Sequence, residues 1–260
     1  MKTFLLLIVV LCQFNINGQV AMTEKEINQQ AQFWTSINAT SRLSNKWGAM
    51  TDFHYRRNHF MKDPNFYFLR GGAVYWINDN FTIAGGIAHL WLATTTINGF
   101  DFANENRIYQ QIQWRQKINK LSYLFRIRNE QRWHEVLNYD GSVNRIRFSD
   151  RLRFLFSVTI PVFKNPYLPA ISIADEMLIH FGKEVIYNSL DQNRLFLGIK
   201  QKISKTVSFD LGYMMVYQQK YSGYQYDLNH TFRWFFYYSP DLRKKSNKEK
   251  HPHYAIPGDE

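Results

Sequence analysis

The chain has 260 residues, a formal net charge of +11 and a mean hydropathy of −0.41, and 17% of its residues are aromatic. This average is too polar for a bundle of membrane helices, and no apolar run after the first 20 residues approaches the length that a spanning helix needs. A transmembrane β-barrel is still allowed, because its strands are apolar only at alternate positions.

The N-terminus has the three-part layout of a secretory signal peptide. Met1 and Lys2 give a short basic start, residues 4–11 are apolar, and Gly18 supplies a small residue before the expected cleavage site. We therefore predict a signal peptide over residues 1–18. An exported protein rarely meets nucleic acid, so we expect the excess of basic residues to serve no nucleic-acid partner.

The only cysteine, Cys12, lies inside this signal segment. The three residues before it lack the small side chains that lipoprotein processing favours. The mature chain is then expected to have no cysteine and no internal disulfide, which fits a bacterial envelope protein better than a eukaryotic secreted one.

The mature chain divides into three parts. An N-terminal segment over residues 19–31 is rich in Glu and Gln and looks more helical than strand-like. Residues 32–239 repeat alternating segments of roughly ten residues, typical of a barrel domain. Residues 240–260 are basic and polar, and we predict a disordered tail there.

The alternating region contains eleven apparent strands. Bacterial single-chain barrels have an even number of strands, so we predict ten or twelve. Short Asn-, Asp- and Ser-rich turns, such as residues 78–80 and 119–120, alternate with longer polar connections, such as 96–105 and 134–144. The fold class is therefore all-β: an antiparallel transmembrane barrel with short periplasmic turns and longer outer loops, located in the outer membrane and in contact with its lipid.

The polar faces of the strands distinguish a membrane barrel from a soluble periplasmic β-sandwich that binds an anionic ligand, which is kept as an alternative. Soluble strands usually show mixed small polar residues and Lys to water, whereas these faces are dense in Arg. Aromatic residues, including Trp34, Trp47, Trp91 and Trp133, lie near strand ends, where a barrel in lipid carries its aromatic girdles. These features favour the membrane barrel.

If the apolar faces meet lipid, the charged side chains point into the lumen. One interpretation is a network of salt bridges that fills the barrel; the other is a positive lumen that attracts small anionic solutes, as in a narrow channel. Two acids, Asp150 and Asp175, fall instead on apolar faces. The predicted lumen cluster consists of Arg126, Arg128, Glu130, Arg132, Arg145, Arg147, Arg151, Arg153, Glu176, Asp210 and Arg233.

An enzyme is the second class of function to consider, because a Ser/His pair near one rim could modify lipid. His54, His89, His134 and His180 are available, but none lies in a nucleophile-elbow sequence. No phosphate-binding loop, paired-cysteine zinc site or calcium loop is present, so no cofactor is predicted. We favour a non-enzymatic channel or structural protein and name no catalytic or metal-binding residue.

Several short motifs resemble one envelope family. They include residues 126–132 between a short turn and a long loop, Asn193 and Arg194 with Gly198, and Gly212 and Tyr213 with Gln218. Phe33 and Trp34 fit the same arrangement. Together they resemble the family catalogued as domain of unknown function 2490 (DUF2490), found largely in Bacteroidota. The resemblance covers nearly all the mature chain and implies an outer-membrane-type barrel without a known activity.

Overall fold

The computed structural model describes residues 24–185 and 189–243, and eleven β-strands account for most of them. The predicted signal peptide and residues 244–260 of the predicted tail lie outside the described residues. The strands are β1 (Glu26–Arg42), β2 (Trp47–Asn58), β3 (Asp63–Trp76), β4 (Phe81–Thr96), β5 (Gly99–Ile118), β6 (Leu121–Leu137), β7 (Val143–Pro161), β8 (Ala170–Phe181), β9 (Leu190–Lys202), β10 (Val207–Gln219) and β11 (Gln225–Tyr238).

The eleven strands form one closed barrel, which confirms the predicted fold class. Strands that follow one another in the chain pair antiparallel, and the barrel closes through a parallel pair, β1 with β11. Its register runs from Glu26 opposite Gln225 to Ala39 opposite Tyr238. The prediction of ten or twelve strands was wrong for this part of the chain. An even number is required only when first and last strands close antiparallel, and a parallel seam accommodates an odd number.

Both termini of the barrel are held by this seam. The predicted helical character of residues 19–31 is not seen in the described part of that segment, because strand β1 begins at Glu26 and pairs with β11 from its first residue. At the other end of the seam, the amide of Arg42 donates to the carbonyl of Pro240 at 3.0 Å, and the amide of Leu242 donates to Arg42 at 2.9 Å. The first residues of the predicted tail therefore continue the pairing.

The two ends of the barrel differ little in the length of their connections. The first end carries residues 43–46, 77–80, 119–120, 162–169 and 203–206; the second end carries 59–62, 97–98, 138–142, 182–189 and 220–224. The strands continue into most of the segments predicted as long loops, so that β5, β6 and β7 reach 20, 17 and 19 residues.

The inward and outward faces follow the predicted alternation. On β6, the side chains of Arg126, Arg128 and Glu130 are buried, whereas Phe125 and Ile127, which alternate with them, are exposed to the surroundings of the barrel. The same two-residue period on the other strands gives an apolar outer surface and an interior that holds both buried charged side chains and apolar clusters. None of the described residues forms a helix long and apolar enough to cross a membrane.

Two cross-strand pairs of inward-facing glycines let neighbouring strands approach closely. Gly72 lies opposite Gly86 on β3 and β4, and Gly198 lies opposite Gly212 on β9 and β10. A Cβ on Gly72 would lie 2.5 Å from the carbonyl oxygen of Gly85, and one on Gly86 would lie 2.5 Å from the Cα of Gly72. In the strand order, four or five junctions separate these pairs in either direction, so they occupy opposite sides of the barrel. Glycine at such places allows the sheet to bend sharply.

Candidate functional site in the barrel interior

The structure places ten of the eleven predicted cluster residues inside the barrel, each no more than 8% exposed. Arg145 is the exception, and its predicted place in the lumen was wrong. Its side chain is 56% exposed and pairs with Glu184 at 2.9 Å. The reason is that β8 begins to pair with β7 only at Asp150, so the start of β7 projects past its neighbour into the surroundings.

The charged interior is organised around a few carboxylates that each bind several arginines. Glu130 accepts hydrogen bonds from Arg151 Nη2 at 2.5 Å and from Arg153 Nη1 at 2.9 Å. Arg107 Nη1 lies 3.4 Å away and Arg128 Nη1 lies 3.8 Å away. Buried charges tolerate removal from water only when they are paired and hydrogen-bonded in this way.

Glu176 and Glu105 are two further centres of the network. Glu176 accepts from Arg126 Nη2 at 2.7 Å and lies 3.2 Å from Arg194 Nη1. Arg153 donates to both of its oxygens at 2.9 Å and so links Glu176 to Glu130.

Glu105 binds the remaining arginines near the second end. It accepts from Arg107 Nε at 2.5 Å and from Arg132 through both oxygens, at 2.9 and 3.0 Å. Asp191 accepts from Arg151 Nη1 at 2.9 Å, which joins β9 to the same network.

Two smaller ion pairs lie elsewhere in the lumen. Arg70 Nε donates to Asp52 at 2.5 Å between β3 and β2. Asp210 accepts from Arg233 Nη2 and from the Tyr237 hydroxyl, both at 2.7 Å. The predicted cluster residues Asp210 and Arg233 therefore form a separate group, toward the first end of β10 and β11. Arg147 stacks on the Tyr221 ring at 3.3 Å.

A cavity of about 150 Å³ lies beside the arginine network. Its partly exposed wall residues, which include Asn65, Leu92 and Gln218, lie near the strand ends at the second end of the barrel, so the cavity opens toward that end. Among the described residues, no Asp or Glu is part of its wall. Eight arginines line it: Arg56, Arg70, Arg107, Arg128, Arg132, Arg151, Arg153 and Arg194.

Arg56 differs from the other arginines of this wall. It is 8% exposed, and among the described residues its guanidinium has no hydrogen-bond or ion-pair partner. Its guanidinium carbon lies 3.5 Å from the Trp34 ring centre and 4.5 Å from that of Phe66. Both residues are its direct cross-strand neighbours. The aromatic faces stabilise the cation, but its N–H groups still lack an acceptor.

Toward the first end, the lumen is filled by packed side chains. One cluster includes Trp34, Leu155, Phe196 and Tyr237, and a second is made of Met50, Val74, Trp76, Ala84 and Tyr109. Every one of these residues is at most 4% exposed. In the described structure, these clusters and the buried Arg126 therefore lie between the cavity and the first end of the barrel.

The charges around the cavity do not balance. Seven of its eight arginines contact five buried carboxylates, and Arg56 contacts none among the described residues; the carboxylates are Asp52, Glu105, Glu130, Glu176 and Asp191. Eight arginines against five carboxylates leave a formal excess of three positive charges around a space that no Asp or Glu of the described chain lines. Such an arrangement attracts an anion and would hydrogen-bond it through guanidinium groups.

Sequence reasoning missed several residues of the site. Glu105 was assigned to a long loop but lies on β5, and Asp191 lies near the start of β9. Asp52, His54 and Arg56 share the inward face of β2, and extending the two-residue alternation to that strand would have found them.

His89 and His134, two of the histidines considered for a Ser/His pair, contact side chains other than serine. His89 bonds to the Asn106 side chain at 2.7 Å on the outer face, and His134 lies 3.3 Å from Glu105. Neither contact is the Ser–His pair that a hydrolase would need. Of the two acids predicted on apolar faces, Asp175 is exposed and accepts from Asn193 Nδ2 at 2.7 Å, while Asp150 lies opposite Gln131.

Comparisons with known proteins identify a family but bring no activity. No curated protein matches the chain. The solved β domain of the Bordetella autotransporter Brka is similar to it with a TM-score of 0.39 and 8% identity, over 72% of this chain and 79% of that one. The family model described as "Protein of unknown function (DUF2490)" matches residues 31–248. The chain therefore belongs to the DUF2490 family, as its strand motifs indicated.

Proposed function

We propose that this protein is an outer-membrane barrel that holds a small anion in a recess of its lumen and does not pass solutes freely. The observation that carries the proposal is the wall of eight arginines around a cavity to which the described residues contribute no Asp or Glu, with packed apolar clusters toward the first end. Of the roles that the sequence allowed, a filled interior favours a binding or structural role over an open channel.

The outer surface supports placement in lipid. Large apolar side chains, such as Ile37, Ile87 and Leu197, are 57–68% exposed around the wall of the barrel. Aromatic pairs lie outside near both ends: Trp47 with Tyr75 at the first end and Trp133 with Phe148 at the second. A soluble protein rarely exposes so much apolar surface, and aromatic girdles are typical of membrane interfaces.

Location is tested by fractionating cells of the native host and comparing boiled with unboiled samples on a gel. We expect recovery in the outer membrane and a heat-dependent change in migration, because a closed barrel resists unfolding by detergent. Recovery as a soluble periplasmic protein would contradict the membrane placement and would mean that the closed barrel faces water.

The function of the lumen is tested by conductance and by anion binding on the same sample, refolded in an uncharged detergent. In a planar bilayer we expect no stable ionic conductance. By calorimetry we expect inorganic phosphate to bind with one site per chain. Steady conductance that loses its anion preference in an Arg128→Ala, Arg151→Ala double variant would instead support a narrow channel.

A further inference from the structure

Part of the cavity wall is apolar, in contrast to the part that the arginines form. Phe68, Ala88 and Leu90 form a buried cluster on β3 and β4, with Phe66 and Leu92 packed against it. All but Ala88 line the cavity. An inorganic ion would leave this wall in contact only with water, although apolar surface gains free energy from contact with an apolar group.

Two arginines of the cavity converge on one aromatic ring. Arg56 lies over Trp34 at 3.5 Å, and Arg194 lies over the same ring at 5.3 Å. Arg194 shares Glu176 with two other arginines, and Arg56 has no carboxylate partner among the described residues. Two like charges beside one indole repel each other, and an oxyanion between or beside them would relieve this repulsion and satisfy the buried N–H groups of Arg56.

We propose that the recess binds an organic phosphate, with its phosphate on Arg56 and Arg194 and an aromatic or aliphatic group against Phe66, Phe68, Leu90 and Leu92. The local excess of three positive charges suits a dianionic phosphate better than a monoanion. Guanidinium groups match phosphate oxygens in geometry and donate to them in pairs. This inference rests on the proposed function and adds the chemical class of the ligand.

Phenyl phosphate and inorganic phosphate are the probes that test it, titrated by calorimetry into the full mature chain in an uncharged detergent. Phenyl phosphate is expected to bind at least about tenfold more tightly, because its ring removes apolar surface from water at the β3–β4 wall. Equal affinity for the two probes would overturn this inference and leave the proposed function standing. If neither binds, both fail.

Three variants test which part of the cavity wall binds the phosphate and which contacts the organic group. Arg56→Gln is expected to weaken both probes about tenfold or more, since it removes a charge-assisted hydrogen bond. Leu92→Ala, at the partly exposed mouth, is expected to lower the affinity for phenyl phosphate and to leave the affinity for inorganic phosphate unchanged. Arg145→Gln, exposed and outside the cavity, is the control and is expected to leave both affinities unchanged. Heat-modifiable migration of each variant checks that it folds. Unchanged binding in a folded Arg56→Gln barrel would overturn the proposal.

Discussion

The guanidinium of Arg56 lies 3.5 Å above the indole ring of Trp34, in a barrel interior where the other arginines of the cavity contact carboxylates. A cation–π contact offsets part of the free energy lost when the cation leaves water. It does not replace an acceptor for the N–H groups. The buried Arg56 is therefore expected to lower the stability of the ligand-free barrel and to favour the binding of an anion.

Arg56→Met is expected to raise the free energy of unfolding of the ligand-free protein, because a buried charge without a partner is replaced by an apolar side chain of similar length. Urea titration of the barrel in detergent measures this. Wild-type protein is expected to gain stability when phosphate is added, and the variant to gain much less. A destabilised variant that still responds fully to phosphate would contradict this account of Arg56.

Glu130→Gln is expected to lower the free energy of unfolding by about 3–5 kcal/mol, because it leaves the surrounding arginines short of a buried negative charge. Arg151 and Arg153 donate to Glu130 at 2.5 and 2.9 Å, so both lose a charged acceptor. The control is Arg145→Ala, which breaks the exposed pair with Glu184 and should change stability by less than about 1 kcal/mol. Equal effects of the two substitutions would show that the network contributes little.

Gly72→Ala is expected to destabilise the barrel by about 1–3 kcal/mol, since its methyl group would press on the Gly85 carbonyl group across the β3–β4 pair. Gly71→Ala is a matched control one residue away, because a Cβ there meets nothing within 4 Å. Its stability is expected to be unchanged or slightly higher. Urea midpoints of both variants, measured together, separate close packing from the general effect of removing a glycine.

Because the number of strands is odd, the start of β1 and the finish of β11 lie at opposite ends of the barrel. Strand β1 starts at the second end and β11 finishes at the first end, so residues before β1 and after β11 should lie on opposite sides of the membrane. Single cysteines at Glu24 and Leu242 test this, since the mature chain is predicted to contain no other cysteine.

With an impermeant maleimide on intact cells, Glu24→Cys is expected to react, because the turns of the first end are predicted to be periplasmic. Leu242→Cys, at a position 60% exposed, is expected to react only after the outer membrane is permeabilised. Labelling of both positions on the same side would mean that the chain closes differently in the membrane.

Much of the barrel follows from local sequence, because a two-residue period is read along each strand separately. The alternation of Arg126 and Arg128 with Phe125 and Ile127 gave both the strand and its inward face. The number of strands could not be obtained in this way. It depends on how Glu26 pairs with Gln225, residues 199 positions apart, and no local pattern encodes the direction of that pairing.

The sequence predicted a charged lumen but not all of the residues that form it. Arginine-rich faces indicated a charged lumen, yet the polar stretch around Glu105 looked like a loop because loops and charged strand ends share their composition. Arg145 has the same parity as Arg147 and Arg151, but only the length of the neighbouring strand decides that it is exposed. The lack of a partner for Arg56 depends on packing across three strands, which composition does not record.

The parallel seam between β1 and β11 also determines how the barrel can assemble. Ten of its junctions join strands that are consecutive in the chain, but the seam joins the first strand to the last. Contacts of such long sequence separation form slowly and late. Until the seam forms, the sheet has two edges with unpaired backbone groups, which can pair with the strands of other chains. Loss of either terminal strand would leave those edges open permanently, so truncation from either end is expected to cause aggregation, in addition to removing recess residues such as Trp34 on β1 or Phe235 on β11.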